Sequence, residues 1–181
     1  MTTRQITFLR GVNIGGRNRL SMREVKAALE ESGLADVGTL LGSGNIVCSG
    51  GDDARAIIAR TLEARFGLDV PVYTIAADKL RDILSRAPVW WGTDDPATYD
   101  NLIFILSSDT PQEICRLLGA PSEGLESIMI CDQVIFWTFD RAAYQRCSWW
   151  KRTAAPGIAE RLTIRTAGTV RKAVQRALDG E

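Results

Sequence analysis

The sequence predicts an α+β protein made of two β-α-β-β-α-β units with antiparallel sheets. Three observations predict it. Short β-prone runs are interleaved with capped helical patterns. The order strand, helix, strand, strand, helix, strand is read twice along the 181 residues. That length suits one domain or two small ones, with ample chain for a core.

In the first unit, residues 5–10 (Gln-Ile-Thr-Phe-Leu-Arg) read as a strand by alternation and β-propensity. A glycine- and asparagine-rich loop follows, Gly11 to Arg19. A helix then opens with Ser21 as N-cap and Glu24 three residues on, a capping box, and Leu20 and Val25 hold the staple positions. Met22, Val25, Ala28 and Leu29 mark its buried face, and Gly33 closes it. Val37–Leu41 and Asn45–Cys48 read as strands around Gly42-Ser43-Gly44. Asp52 and Asp53 are expected to cap a second helix that carries Ile57, Ile58, Leu62 and Phe66 inward and ends at Gly67. Val70–Ala76 is a fourth strand, placed at an edge by Pro71, which cannot donate to a central ladder.

The second unit repeats the order more loosely. Asn101–Leu106 is a strand. Thr110-Pro111-Gln112-Glu113 opens a helix with cap, N1 proline and capping-box glutamate, and Gly119 closes it. Ser127–Ile130 and Val134–Phe139 form a hairpin about Asp132-Gln133. Residues 141–161 are irregular, Leu162–Arg165 is a strand, and Thr169–Leu178 a final helix. These are two ferredoxin-like (split β-α-β) subdomains, residues 1–77 and 101–181, joined by a helix and loop over 78–100. Leu102-Ile103-Phe104-Ile105-Leu106 is apolar on both strand faces, so the second face of its sheet must be covered, by the other subdomain or by a partner chain.

Composition removes several function classes. The chain is 45% hydrophobic and 24% charged, as ordinary soluble globular proteins are. No stretch approaches the roughly 20 apolar residues of a membrane span, and the opening residues lack the apolar core of an export signal. The expected location is therefore the cytoplasm. With no histidine, an imidazole base or a His metal ligand is excluded. Cys48, Cys115, Cys131 and Cys147 are widely spaced and read as reduced, small hydrophobes. No cofactor fingerprint or metal-ligand spacing is present, so neither a cofactor nor a metal is expected.

Charge is uneven along the chain. Lys+Arg and Asp+Glu balance at 22 each, yet residues 77–140 carry four basic and eleven acidic side chains and residues 141–176 carry nine and one. The basic segment holds Trp149, Trp150, Lys151, Arg152 and Arg165, which could meet nucleic acid by charge and stacking. The plainer reading pairs its arginines with the acidic middle segment across the interface between subdomains. The near-zero total charge favours the plainer reading.

The Gly11–Arg19 loop is the best candidate site. A strand, a glycine-rich loop and a helix together offer backbone N–H groups and a positive helix end to an anion. The spacing is neither a Walker loop nor a dinucleotide fingerprint. In a sheet of order 4-1-3-2 the first two strands run the same way, so their ends share a rim, about 10 Å apart across the third strand. The rim collects Arg10, Gly11, Asn13, Gly15, Gly16, Arg17 and Arg19 with Ser43, Gly44 and Asn45. That set suits phosphate or another anion. No general base stands out, so no catalytic residue is assigned.

Phe8-Leu9-Arg10-Gly11-Val12-Asn13-Ile14-Gly15-Gly16, Met22, Gly33, Thr39 and Ser43-Gly44-Asn45 closely resemble the signature of a bacterial family called domain of unknown function 1697. The resemblance is specific over about 45 residues at the N-terminus and then rests on element order and on anchors such as Ser148 with Lys151. It implies tandem ferredoxin-like subdomains and no particular activity. Where the family has Asn-Trp after the closing arginine, this chain has Thr166-Ala167-Gly168, which puts any site there in doubt.

Other features read as structural. Trp90-Trp91, in a long connection, are expected to plug the junction between subdomains. Asp94, Asp95 and Asp100 read as a solvated turn before a magnesium site. Three functions thus remain open: an anionic small-ligand binder at the rim, a nucleic-acid module on residues 141–176, and a protein-interaction domain. No membrane partner is expected.

Overall fold

The structure is a computed structural model that describes residues 3–13 and 19–179. In chain order it contains β1 (Thr3–Leu9), α1 (Met22–Glu31), β2 (Ala35–Leu40), β3 (Asn45–Gly50), α2 (Ala54–Phe66), β4 (Val72–Ala76) and α3 (Ala77–Ser85). There follow β5 (Thr98–Ile105), α4 (Pro111–Leu118), β6 (Glu126–Cys131), β7 (Val134–Asp140), α5 (Ser148–Thr153), β8 (Leu162–Thr166) and α6 (Ala167–Asp179). The strands form two four-stranded sheets, ordered β2-β3-β1-β4 and β6-β7-β5-β8. Every paired neighbour is antiparallel. Both sheets have the ferredoxin-like order the sequence predicts.

The chain divides into two compact units, Met1–Asp82 with Arg171–Glu181, and Ile83–Val170. The division falls inside α3 and inside α6, where the sequence reading has a separate connector at 78–100 and an undivided terminal helix. Helix α3 starts directly where β4 ends, with no intervening loop.

In the first unit α1 and α2 cover one face of the sheet. Leu9, Val25, Leu29, Ile46, Ile58 and Leu62 are wholly buried there. The apolar spacing of Val25, Ala28 and Leu29 along α1 puts all three on one helix face. Burial of each such leucine is worth about 1.5–3 kcal/mol. On the opposite face, residues 176–178 of α6 meet β1, β2 and β3, and Arg4 Nε donates to Ala177 O at 2.7 Å. Strand β4 lies at an edge, and Pro71, one residue before it, accepts from Arg10 N–H.

In the second unit α4 and α5 pack on β5 and β7 around Ile103, Ile114, Ile135, Trp137 and Trp149. Strand β5 is buried on both faces: Leu102, Ile103 and Phe104 have no exposed surface. Trp91 sits on the second face, its ring edge-on to Phe136 at 4.9 Å and its Nε1–H donating to Asn101 O.

Helix punctuation is mostly as expected. The capping box of α4 is complete between Thr110 and Glu113, and Ser21 accepts from Glu24 N–H at the start of α1. Asp53 is a correction. It occupies the N-cap of α2 but makes no side-chain capping bond, because its helical ψ of −2° turns the carboxylate away from the first-turn amides.

All four cysteines are free. Cys48 is buried, and burial pushes its thiol pKa up from an ordinary 9.0 to about 11, with the Arg4 charge pulling the other way. The contribution of this buried thiol to stability is fully present below pH 9 and is lost as pH rises toward 11. Cys48 should therefore resist alkylation at pH 8 until the protein unfolds, as mass-mapped labelling would show. A second prediction concerns the β2–β3 turn. Gly44 has φ +76°, and a Cβ there would overlap Val12 Cγ2 and lie 2.9 Å from Leu9 Cβ. Gly44→Ala should cost about 2–4 kcal/mol by chemical denaturation. Gly42→Ala, at φ +62° in open space, should cost about 1 kcal/mol.

Candidate functional site

The rim forms where β1 ends and α1 begins. Gly44, which opens the way into β3, accepts from Leu9 N–H at 2.8 Å, so the end of β1 and the β2–β3 turn are joined directly. The roughly 10 Å gap expected between the first two strands is filled by β3 itself. Val12 turns inward and is fully buried, and Gly11 and Asn13 both have positive φ. The chain therefore twists sharply as it leaves the sheet.

Asn13 fastens this turn. Its Nδ2 donates to Leu20 O at 3.0 Å and to Gly42 O at 2.6 Å, and its Oδ1 accepts from Leu20 N–H at 2.7 Å. One amide thus ties the two ends of the loop to each other and to the β2–β3 turn. Asn45 is fully buried and donates to Leu40 O and Ser43 Oγ. Both asparagines belong to the rim set that suits an anion. Their amide donors are committed to the protein, and they shape the rim.

A hollow of about 430 Å³, lined by Asn13, Arg19, Leu20 and Ser21, lies at the first turn of α1. Arg19 is exposed and Arg10 half-buried. Gly15, Gly16 and Arg17 lie outside the described residues.

The basic segment is largely committed to internal contacts. Trp149 is fully buried and its Nε1–H donates to Gly119 O at 2.8 Å, so it presents no face to a base. Arg152 donates to Leu118 O. Arg161 pairs with Asp109 at 2.7 Å, a contact within the second unit. Arg165 is half-buried, donates to Thr163 Oγ1 and Ile164 O, and burial pulls its pKa down to about 10. Trp150 and Lys151 are exposed, with Trp150 edge-on to Tyr144 at 5.2 Å.

Asp100 accepts from Gly92 N–H at 2.8 Å and from Thr138 Oγ1, and Asp95 accepts from Ala97 N–H. Among the described residues no three His, Cys, Asp or Glu side chains gather as a metal-ligand set.

Sequence reasoning missed Glu126. It is buried at the start of β6 and accepts from Ser122 N–H (2.8 Å), Ser148 N–H (3.0 Å), Ser148 Oγ (3.1 Å), Trp149 N–H (3.1 Å) and Trp137 Nε1–H (3.3 Å). The one local signal is an acid at the head of a strand that runs on to Ile128-Met129-Ile130-Cys131. Its donors come from 4 to 23 residues away along the chain, out of reach of local patterns. Glu126→Ala should destabilise by on the order of 3 kcal/mol or more, since it strands several buried donors. Glu126→Gln should also destabilise, because its amide would set N–H against N–H. Urea denaturation of both variants checks this.

No curated protein matches the chain. Among solved structures it is similar to the conserved bacterial protein SP0830 from Streptococcus pneumoniae. The two are 25% identical, with a TM-score of 0.78 over 97% of this chain and 98% of that one. The likeness extends through both sheets. The family model described as protein of unknown function (DUF1697) matches residues 1–136, and the chain belongs to that family.

Proposed function

We propose that the protein binds a phosphate-bearing or other anionic small ligand at the rim between β1 and α1, in a bacterial cytoplasm. The observation that carries this reading is the hollow at the first turn of α1, lined by Asn13, Arg19, Leu20 and Ser21. A ten-residue helix presents the positive end of its dipole there. Arg19 and Arg10 add charge, and Gly15, Gly16 and Arg17 join them from their place in the sequence. Asn13 holds the frame, so the ligand is recognised by charge and backbone dipole. Four free cysteines fit a reducing compartment.

The nucleic-acid reading keeps Trp150 and Lys151 but loses Trp149, Arg152 and Arg165 to internal contacts. The interaction-domain reading loses its main support, because both faces of β5 are already buried in the chain alone.

The test is an amide-resolved NMR titration with inorganic phosphate, pyrophosphate and a short single-stranded RNA. Saturable shifts at Leu20 to Val25 should weaken about tenfold in Arg19→Ala, a loss of about 1.4 kcal/mol. Shifts at Trp150 and Lys151 with RNA alone, falling steeply with salt, would overturn the rim in favour of nucleic acid.

A further inference from the structure

The first unit carries a second cleft, of about 480 Å³, at its β2 edge. It shares no lining residue with the rim. Three cations from three elements line it: Arg4 from β1, Lys26 from α1 and Arg176 from α6. One carboxylate among the lining residues, Asp36, opposes them.

The cations differ in how far they are committed. Arg4 uses Nε on Ala177 O and Nη1 on Ser49 Oγ and Asp36 O. Its Nη2 makes no hydrogen bond to a described residue. Lys26 has one ion pair, to Glu30 at 3.8 Å, with both side chains nearly half exposed, which is a weak tie. Arg176 makes no hydrogen bond and no ion pair with any described residue. Its guanidinium lies against Gly38, with Nε 3.3 Å from where a Cβ would stand. The missing side chain is what lets the arginine settle there.

Asp36 does not neutralise this set. It sits at φ +49° in a bulge of β2, and its carboxylate accepts from Ser49 Oγ at 2.8 Å and lies 3.7 Å from Arg4 Nη1. With Asp36 set against the three cations, the lining residues carry a net charge of two. A guanidinium presents paired N–H groups that match the oxygens of a phosphate, and a dianion matches a net charge of two where a lone carboxylate does not. Val47 and Leu178 give the cleft apolar lining for the uncharged part of such a molecule.

We propose that this cleft is a binding site for a small phosphate-bearing molecule, with the phosphate held by Arg176 and the free edge of Arg4, and Lys26 at the mouth. The site goes beyond the rim reading and stands or falls separately from it.

The experiment is a titration of the full chain with pyrophosphate at constant ionic strength, followed by backbone amides and arginine Nε–H resonances. Saturable shifts are expected at Gly38, Val47 and Arg176 Nε. Their midpoint should rise tenfold or more in Arg176→Gln and stay unchanged in Arg19→Ala. Arg176 is exposed, so its loss leaves the core intact. Gly38→Ala removes no charge but crowds Arg176, and should weaken binding in the same direction. The proposal is overturned if these signals do not move by about 10 mM pyrophosphate, a level covering millimolar affinity. It is also overturned if they shift without saturating, or respond equally in Arg176→Gln. Failure of the rim reading shows separately, as silence at Leu20 to Val25.

Discussion

A buried N–H without an acceptor costs on the order of 1–3 kcal/mol, and that constraint decides how the irregular parts of this chain are built. Regular sheet and helix satisfy their own backbones. The turns do not, and side chains satisfy many of their groups, Asn13 and Glu126 the most. Asn13 satisfies both the N–H and the carbonyl of Leu20 and reaches Gly42 O. Glu126 gathers donors from the Ser122 turn, the start of α5 and the indole of Trp137. Among the described residues no buried side-chain polar atom is left without a partner. The first unit can turn from β1 into α1, and the second can seat α5 on its sheet, because these groups are in place.

The same accounting separates structure from opportunity. Residues that look most chemical in the sequence, Asn13, Asn45, Trp149, Arg152 and Arg165, have their polar atoms engaged inside the protein. Residues with polar atoms unpartnered among the described residues, Arg19, Arg176 and one edge of Arg4, line open clefts. A guanidinium with no internal partner keeps its water and can exchange it for an anion at modest cost, whereas an engaged amide would first have to break a protein contact.

What was legible in the sequence was what local chemistry dictates. Ser21, Thr110-Pro111 with Glu113, Gly67 and Gly119 mark helix ends because caps are satisfied within a few residues. The order of elements followed, and with it both sheets. Gly44 and Asn13 also stood out, but the sequence could not tell a ligand-facing loop from one tied to its own framework. Distant pairings were silent: Glu126 with Trp149, Arg4 with Ala177, and the burial of Trp149 against Trp137 depend on contacts made only after folding. Asp53 misled for the opposite reason. Its type suits a cap, and its backbone angle does not.

The first unit is discontinuous in sequence. It comprises Met1–Asp82 and Arg171–Glu181, and the hydrogen bond from Arg4 to Ala177 closes a separation of 173 residues. The second unit is a continuous insert between those two pieces. On a ribosome, the insert has all its strands before the last turns of α6 emerge, while β1 to β4 must wait for their closing segment. The second unit therefore has the opportunity to finish first. By shortening the effective distance between the ends of the first, its folding lowers the entropic cost of joining them.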